Sequence, residues 1–334
     1  MQTRKLGTSD LELTTVGFGT WGISGGKWAF GWGEQDEAEA VAAIIKAVDI
    51  GINWIDTAPV YGEGQSEDLV AKALAKLPKS KWPLIATKCS RVYQPDGTII
   101  GNLDPASIVK ECEASLKRMG IDVIDLYQVH WPLPAEDIER GWSALVQLKE
   151  QGKVRHIGVS NFDVAQLKRV QSIATVISLQ PPFSLIADGI GSEILPYCKE
   201  QNIGVIGYSP MCKGLLTGKF DKQRAANLGT DDHRSRDPKF QEPQLSINLE
   251  FVEQLKPIAA REQCTLAQLS IAWTLAQPGV TAAIVGARRP AQIEDTAPAG
   301  DLTLSHDSLQ QIDQWNTQRK SKLDAIGSTQ TGRV

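Results

Sequence analysis

Four side chains carry the chemistry this sequence can offer: Asp56, Tyr61, Lys88 and His130. Asp56 and Tyr61 share one short segment, Asn53-Trp-Ile-Asp-Thr-Ala-Pro-Val-Tyr-Gly62, while Lys88 and His130 each follow a separate apolar run. A phenol has a reference pKa of about 10 and protonates a carbonyl oxygen slowly at neutral pH. An ammonium beside it favours the phenolate and lowers that pKa, so Lys88 is expected to tune Tyr61. A carboxylate such as Asp56 keeps a buried ammonium charged. An imidazole such as His130 can hydrogen-bond a carbonyl and fix its direction. A proton donor with no internal reductant needs a second party that supplies hydride, a cofactor. Taken singly, each residue has a plainer reading. Asp56 could be a cap, Lys88 a surface charge, His130 a satisfied core histidine and Tyr61 packing. Only convergence on one face makes them a site.

That convergence must come from the elements. From Thr15 to about Thr296 a short β-rich run alternates with an amphipathic helical run. The runs predict strands at Thr15–Gly19, Asn53–Ile55, Leu84–Thr87, Val123–Val129, Val154–Val159, Val176–Leu179, Gly204–Gly207 and Thr281–Val285. Helices are expected at about Asp36–Asp49, Ser66–Leu77, Pro105–Met119, Ala135–Glu150, Val164–Gln171 and Ser192–Gln201. Two more are expected between Leu245 and Ala276, and another from near Pro290. Asp104-Pro105 reads as a cap with proline at the first helical position, and Gly51, Gly120 and Gly152 as stops. Eight such units point to an α/β fold, a (β/α)8 TIM barrel, over an open doubly wound sheet. Thr3–Lys5 and Leu11–Leu13 flank Gly7-Thr8-Ser9-Asp10 and read as an N-terminal β-hairpin closing the barrel's lower end. Residues 1–334 are read as a single domain. Long loops span Lys88 to Asp104 and Ser209 to about Pro243, lengths typical of lids and binding loops. Barrel chemistry sits where strands end. The strand ends deliver Asp56, Lys88, His130, Ser160-Asn161, Gln180, Tyr208-Ser209 and Gly286-Ala287-Arg288 to one mouth.

Composition excludes other classes. With 334 residues, 42% hydrophobic and 22% charged, the chain is an ordinary globular one. A net charge of −4 without a long basic run argues against nucleic acid and anionic membranes as partners. No apolar stretch is long enough to span a bilayer, and the start Met-Gln-Thr-Arg-Lys has no apolar signal core. Five cysteines without paired spacing read as reduced thiols of a cytoplasmic protein. Four histidines far apart in sequence argue against a metal site. Gly17-Phe-Gly-Thr-Trp-Gly22 satisfies G-x-G-x-x-G, but a dinucleotide fingerprint needs a helix opening at its third glycine. The glycine- and tryptophan-rich continuation here starts a helix poorly.

The segment Asn53–Gly62 resembles the hallmark of the aldo-keto reductases. Lys88 in Ile-Ala-Thr-Lys, His130 in Leu-Tyr-Gln-Val-His-Trp, Arg155-His-Ile-Gly-Val-Ser-Asn161 and Gln180-Pro-Pro-Phe are similar to that family's other motifs, in the same order along nearly the whole chain. The chain most resembles the bacterial general-stress branch. The resemblance implies NADPH-dependent reduction of aldehydes or ketones to alcohols, with Tyr61 as general acid, Lys88 its tuner, Asp56 the partner of Lys88 and His130 the carbonyl orienter. It implies that Ser160, Asn161 and Gln180 bond the nicotinamide carboxamide and that Tyr208 stacks on its ring, with Thr20 and Trp21 flanking cofactor or substrate. Ser209, Pro210, Met211, Cys212, Lys213 and Gly214 would fold over the pyrophosphate, with Lys213, helped by Lys219, countering its charge. Gly286, Ala287, Arg288 and Gln292 would meet the adenosine-phosphate end.

The chain also departs from the family pattern. Many relatives carry Lys-Ser where it has Gly286-Ala287, arginine where it has Gln292, and Glu-Asn where it has Asp295-Thr296. Phosphate recognition then rests on Arg288, or on its neighbour Arg289. A guanidinium suits a bidentate 2′-phosphate contact and favours NADPH over NADH. Trp21, Trp28, Phe30, Trp32 and Trp131 suggest an aromatic-lined slot for an aldehyde, ketone or sugar-like carbonyl, unless they only pack the first loop. The oligomeric expectation is a monomer or small homo-oligomer. Two other functions compete: a barrel that senses the NADPH/NADP+ ratio with vestigial activity, as channel-associated β subunits suggest, and a Schiff-base aldolase using Lys88.

Overall fold

The structure is a computed structural model and describes residues 1–26 and 28–327. A hairpin, β1 (Thr3–Lys5) with β2 (Glu12–Thr14), precedes eight parallel strands closed into a barrel. In chain order the barrel strands are β3 (Val16–Gly19), β4 (Trp54–Asp56), β5 (Leu84–Cys89), β8 (Ile124–Val129), β9 (Val154–Ser160), β10 (Ser178–Gln180), β11 (Gly204–Tyr208) and β12 (Val280–Gly286). A second hairpin, β6 (Arg91–Tyr93) with β7 (Ile99–Gly101), stands in the long loop after β5. The helices α1 (Glu37–Asp49), α2 (Gln65–Leu74), α3 (Pro105–Met119), α4 (Ile138–Glu150), α5 (Val164–Gln171) and α6 (Ile194–Glu200) follow successive barrel strands. The loop after β11 carries α7 (Lys222–Ala226) before α8 (Gln244–Arg261) and α9 (Leu266–Ala276). After β12 come α10 (Pro290–Thr296) and α11 (His306–Ala325). The (β/α)8 expectation holds.

Local chemistry sets the helix ends. Asp104 accepts from the Ala106 and Ser107 amides ahead of Pro105, and Gly120 ends α3 at φ 65°. Asp163 with Gln166, and Thr265 with Gln268, form reciprocal capping boxes on α5 and α9.

The period of two along each strand sorts residues into two cores. Outward residues such as Phe18, Ile55, Ile85, Tyr127, Val205 and Val285 pack against the helices. Inward residues Trp54, Ala86, Leu126, Ile206 and Ala282 fill the barrel's lower half together with Leu6, Leu11 and Leu13 of the N-terminal hairpin. That hairpin therefore closes the barrel floor. Gly7 makes the closure possible, because a Cβ there would lie 2.3 Å from the Ile177 carbonyl oxygen. The Gly17–Gly22 motif has a packing role too: a Cβ on Gly17 would sit 2.0 Å from the Trp54 ring, and the chain beyond enters a short 3-10 turn at Trp21–Ile23.

Several features differ from expectation. β10 begins two residues later and ends one residue later than predicted, with Gln180 inside the strand, β4 is shifted by one residue to include Asp56, and α7 was not anticipated. The hairpin β6–β7 and the twenty-residue α11 were not anticipated.

Candidate active site

Two residues above the inward apolar layer, the same strands turn polar. Trp54 gives way to Asp56, Ala86 to Lys88, Leu126 to Gln128 and Ile206 to Tyr208, and β10 adds Gln180. In the strand register Lys88 stands opposite Gln128, whereas Asp56 stands opposite Ala86, one inward position before Lys88. The result is a polar ring inside the upper barrel. Lys88 is fully buried, and its Nζ donates to Asp56 Oδ1 at 2.6 Å, to the Thr57 carbonyl at 2.9 Å and to the Tyr61 hydroxyl at 3.3 Å. The Tyr61 and His130 rings meet edge to face, 5.7 Å between centroids. The four residues thus meet at one mouth, although they come from three separate segments.

The electrostatics differ from the expectation in one respect. Burial pushes the Tyr61 hydroxyl well above the usual phenol range, and the Asp56 charge adds to the rise. Lys88, in contact with Asp56, does not outweigh these two effects. Burial lowers Lys88 itself, against the opposing pull of Asp56 and, further off, Glu67. His130 is driven well below its ordinary value by burial and by the nearby Lys88 and Arg91 charges, so its imidazole is neutral.

The other strand ends are knitted to this group. Gln180 Nε2 donates to Asp56 Oδ2 at 2.7 Å, while Ser160 Oγ donates to the Gln180 carbonyl at 2.7 Å. Asn161, at φ 63°, donates to the His130 carbonyl and accepts from the Tyr208 hydroxyl, each at 3.0 Å. Gln128 belongs to the same ring and was not singled out from the sequence. It is fully buried and takes a 3.3 Å bond from Gln180, and its own Nε2 has no partner among the described residues. The signal was present: Gln128 lies two residues beyond inward Leu126.

Above the ring, two loops far apart in sequence are laced together. The His233 amide donates to the Gly31 carbonyl at 3.0 Å, and Trp32 bridges to Asp232. The Arg234 guanidinium is paired with Asp232 and lies 5.1 Å over the Trp32 ring. Lys213 sits 5.6 Å over Trp21 and bonds Asp237 at 2.9 Å and His233 at 2.7 Å, so its charge is already met. Ser209, Cys212, Lys213 and Gly214 all have positive φ, which coils the start of the loop after β11 tightly; Pro210 is buried and Met211 half-buried within it. Thr20 is buried and bonded to Thr57, and the Trp21 indole donates to the Phe30 carbonyl. A cleft of about 630 Å³, bordered by Trp28, Glu63, Tyr93 and Gln94, opens here, and the Trp28 ring lies 6.0 Å from that of Tyr61.

Past β12, three of the five Arg288 N–H donors are engaged. Nε bonds Gln35 at 2.7 Å, Nη1 bonds the Trp32 carbonyl at 2.9 Å, and Nη2 bonds the Glu34 carbonyl. Gln292 Oε1 accepts from the Arg288 and Arg289 amides, Gly286 is exposed and Ala287 is buried. Arg289 and Lys219 are exposed and make no ion pair among the described residues.

A nicotinamide group fits the chemistry of this mouth. Tyr208 offers a half-buried ring beside Asn161, Ser160 and Gln180, amide and hydroxyl groups that match a carboxamide's donor and acceptor pattern. The orphaned Gln128 amide marks a polar interior with hydrogen-bonding capacity to spare. Among the described residues, no group of three or more His, Cys, Asp or Glu could hold a metal ion. None of the described helices is long and apolar enough to cross a membrane.

The model of the Aldo/keto reductase family matches residues 15–317. The aldo-keto reductase YhdN of Bacillus subtilis (strain 168) is 37% identical, with 93% of this chain and 92% of that protein covered. The NADH-specific methylglyoxal reductase of Escherichia coli (strain K12) is 35% identical, with 90% of this chain and 94% of that protein covered. Among solved structures, the glycerol dehydrogenase AKR11B4 from Gluconobacter oxydans superposes with a TM-score of 0.86 at 35% identity, covering 95% of this chain and 96% of that one. The barrel, its mouth and these relatives agree: the chain belongs to the aldo/keto reductase family, whose members oxidise or reduce small-molecule carbonyl compounds with nicotinamide cofactors.

Proposed function

We propose that this chain reduces aldehydes and ketones, sugar-like ones included, to alcohols with NADPH, with Tyr61 as the proton donor. The observation that carries the reading is the chain of contacts from the Tyr61 hydroxyl to Lys88 Nζ at 3.3 Å and on to Asp56 at 2.6 Å. When bound, the cofactor supplies hydride to the carbonyl carbon. The chain does the rest. Tyr61 gives its hydroxyl proton to the carbonyl oxygen. The negative charge that develops on the phenol oxygen then lies beside the Lys88 ammonium, so Lys88 acts in the transition state although it leaves the resting phenol's pKa high. Asp56 and the Thr57 carbonyl keep that ammonium in place. His130, held neutral, hydrogen-bonds the carbonyl without titrating near pH 7. Ser160, Asn161 and Gln180 would hold the carboxamide, and Tyr208 would carry the ring. The coiled segment Ser209–Gly214 would lie against the pyrophosphate.

For the phosphate end, the free cations are Arg289 and Lys219, since Arg288 is committed to the first loop and Lys213 to Asp237. We assign the 2′-phosphate to Arg289, and to Arg288 the task of anchoring the first loop. The E. coli relative is named NADH-specific, so the two cofactors must be compared directly.

The test is Tyr61→Phe with a panel of aldehydes, glyceraldehyde included, under NADPH and NADH. The expected result is unchanged cofactor binding with turnover down by about a thousandfold or more, within the range spanned by general acid catalysis and charge stabilisation together. Wild-type turnover in this variant would remove Tyr61 from the role.

A further inference from the structure

We propose that Glu67 and Arg118 are positioning residues for the Tyr61–Lys88 couple, a buried pair of opposite charges behind the proton donor that sets how tightly the couple holds its proton. The proposal rests on Tyr61 being the acid.

Glu67 lies on α2 and is fully buried. Its Oε1 accepts from Thr87 Oγ1 at 2.7 Å, and Thr87 immediately precedes Lys88 on β5. Its Oε2 pairs with Arg118 of α3, whose side chain keeps 26% exposure. The Arg118 guanidinium packs under the turn that carries Tyr61: a Cβ on Gly64 would come within 2.7 Å of its Nε. Gly64, at φ 95°, immediately precedes α2, three residues after Tyr61. One ion pair thus ties the Tyr61 turn, the Lys88 strand and two helices together.

Holding elements together does not by itself call for charge. Apolar residues of similar volume often replace a buried ion pair without loss of stability. What they would not supply is a field at Lys88. The Glu67 charge opposes the loss of the Lys88 proton, and Arg118 offsets that charge from the far side of the carboxylate. Other charged or titratable groups face the couple or the pair. Asp56 from β4 raises Tyr61, while His130 after β8 and Arg91 on β6 lie near Lys88. Glu111 on α3 feels Glu67, and Tyr208 on β11 feels Tyr61. All of these stay in place when Glu67 or Arg118 is neutralised.

The sign of the effect separates this role from a purely structural one. Glu67→Gln keeps the size and the acceptor for Thr87 but leaves Arg118 uncompensated, so the couple releases its proton more easily. Arg118→Gln leaves Glu67 uncompensated, so the couple holds its proton more tightly. The experiment is the pH profile of kcat for aldehyde reduction by the full chain at saturating NADPH. The alkaline limb is expected to move down by about half to one pH unit in Glu67→Gln and up by a similar amount in Arg118→Gln. The Glu67→Gln/Arg118→Gln double variant is expected to return it to the wild-type position. Thermal unfolding of each variant reports the structural cost separately. Limbs that stay in place, or that move in the same direction, overturn the proposal. Should buried Glu67→Gln fail to fold, the partly exposed Arg118→Gln decides alone: an upward shift supports the proposal, and no shift overturns it. Tyr61→Phe in the same assay keeps the two ideas apart. Its inactivity together with unmoved limbs rejects only the Glu67–Arg118 role, whereas an active Tyr61→Phe rejects the acid assignment itself.

Discussion

The lower and upper halves of the barrel interior are built on the same strands two residues apart, yet they do opposite work. Below, Trp54, Ala86, Leu126 and Ile206 meet Leu6, Leu11 and Leu13 in a closed apolar floor. Above, Asp56, Lys88, Gln128 and Gln180 form a polar ring that leaves one amide unpaired. Apolar burial contributes about 25 cal/mol per Å². Burial of an ammonium and a carboxylate costs several kcal/mol per ion before pairing offsets it. The floor therefore stabilises the barrel, and the ring draws on that stability to hold charges where they can act on a substrate. The lesson is one of register: a shift by one residue would exchange ring and floor positions with the helix-facing ones.

Four measurements can break or sharpen this contrast. Tyr61→Phe, at the top, has the largest expected effect: turnover collapses while the melting temperature stays close to wild type. Trp54→Ala, on the floor, should do the reverse. It is expected to cost about 3–5 kcal/mol in denaturant unfolding, with kcat per folded molecule retained. A Trp54→Ala protein that folds normally but has lost its activity would erase the division. Arg289→Ala, at the rim, should weaken NADPH binding about tenfold in a fluorescence titration and leave NADH binding unchanged. Equal losses for both cofactors would take Arg289 away from the 2′-phosphate.

The smallest effect lies outside the barrel wall. Burial raises the Glu111 carboxyl to about 7, although Ser107 and the Ser90 amide hydrogen-bond it. A folded-state pKa above the unfolded one means that the native state binds the extra proton, so stability is lost as pH rises from about 4.5 toward 7. Glu111→Gln should therefore raise the melting temperature at pH 8, by an amount that shrinks toward pH 5. A pH-independent change would show that the carboxyl is not the cause.

Much of this was legible in the residues. The alternation of β-rich and amphipathic runs revealed the barrel because the barrel strands are short, largely buried and separated by helices. Asp56, Tyr61, Lys88 and His130 stood out by chemical type. Residues whose meaning depends on partners did not. Arg288 reads as a phosphate ligand, and nothing in the chain announces that it also bonds Gln35, Trp32 and Glu34. Glu67 and Arg118 were not singled out, because nothing in the chain says that these two side chains meet. The twenty-residue α11 was overlooked because it is mostly polar, with only Ile312 and Leu323 as buried apolar anchors. The β6–β7 hairpin did have a signal, the turn sequence Pro95-Asp96-Gly97 between two three-residue strands.

The floor hairpin also has a consequence during synthesis. Arg4 donates to the carbonyls of Leu275 and Val280, and Leu6 packs in the cluster that includes Ala282. On a ribosome adding about 5–20 residues per second, residues 3–14 wait roughly 15–50 s for those partners to be made. Through that interval three leucines lack their final neighbours, and a segment translated ahead of the barrel strands docks only after them.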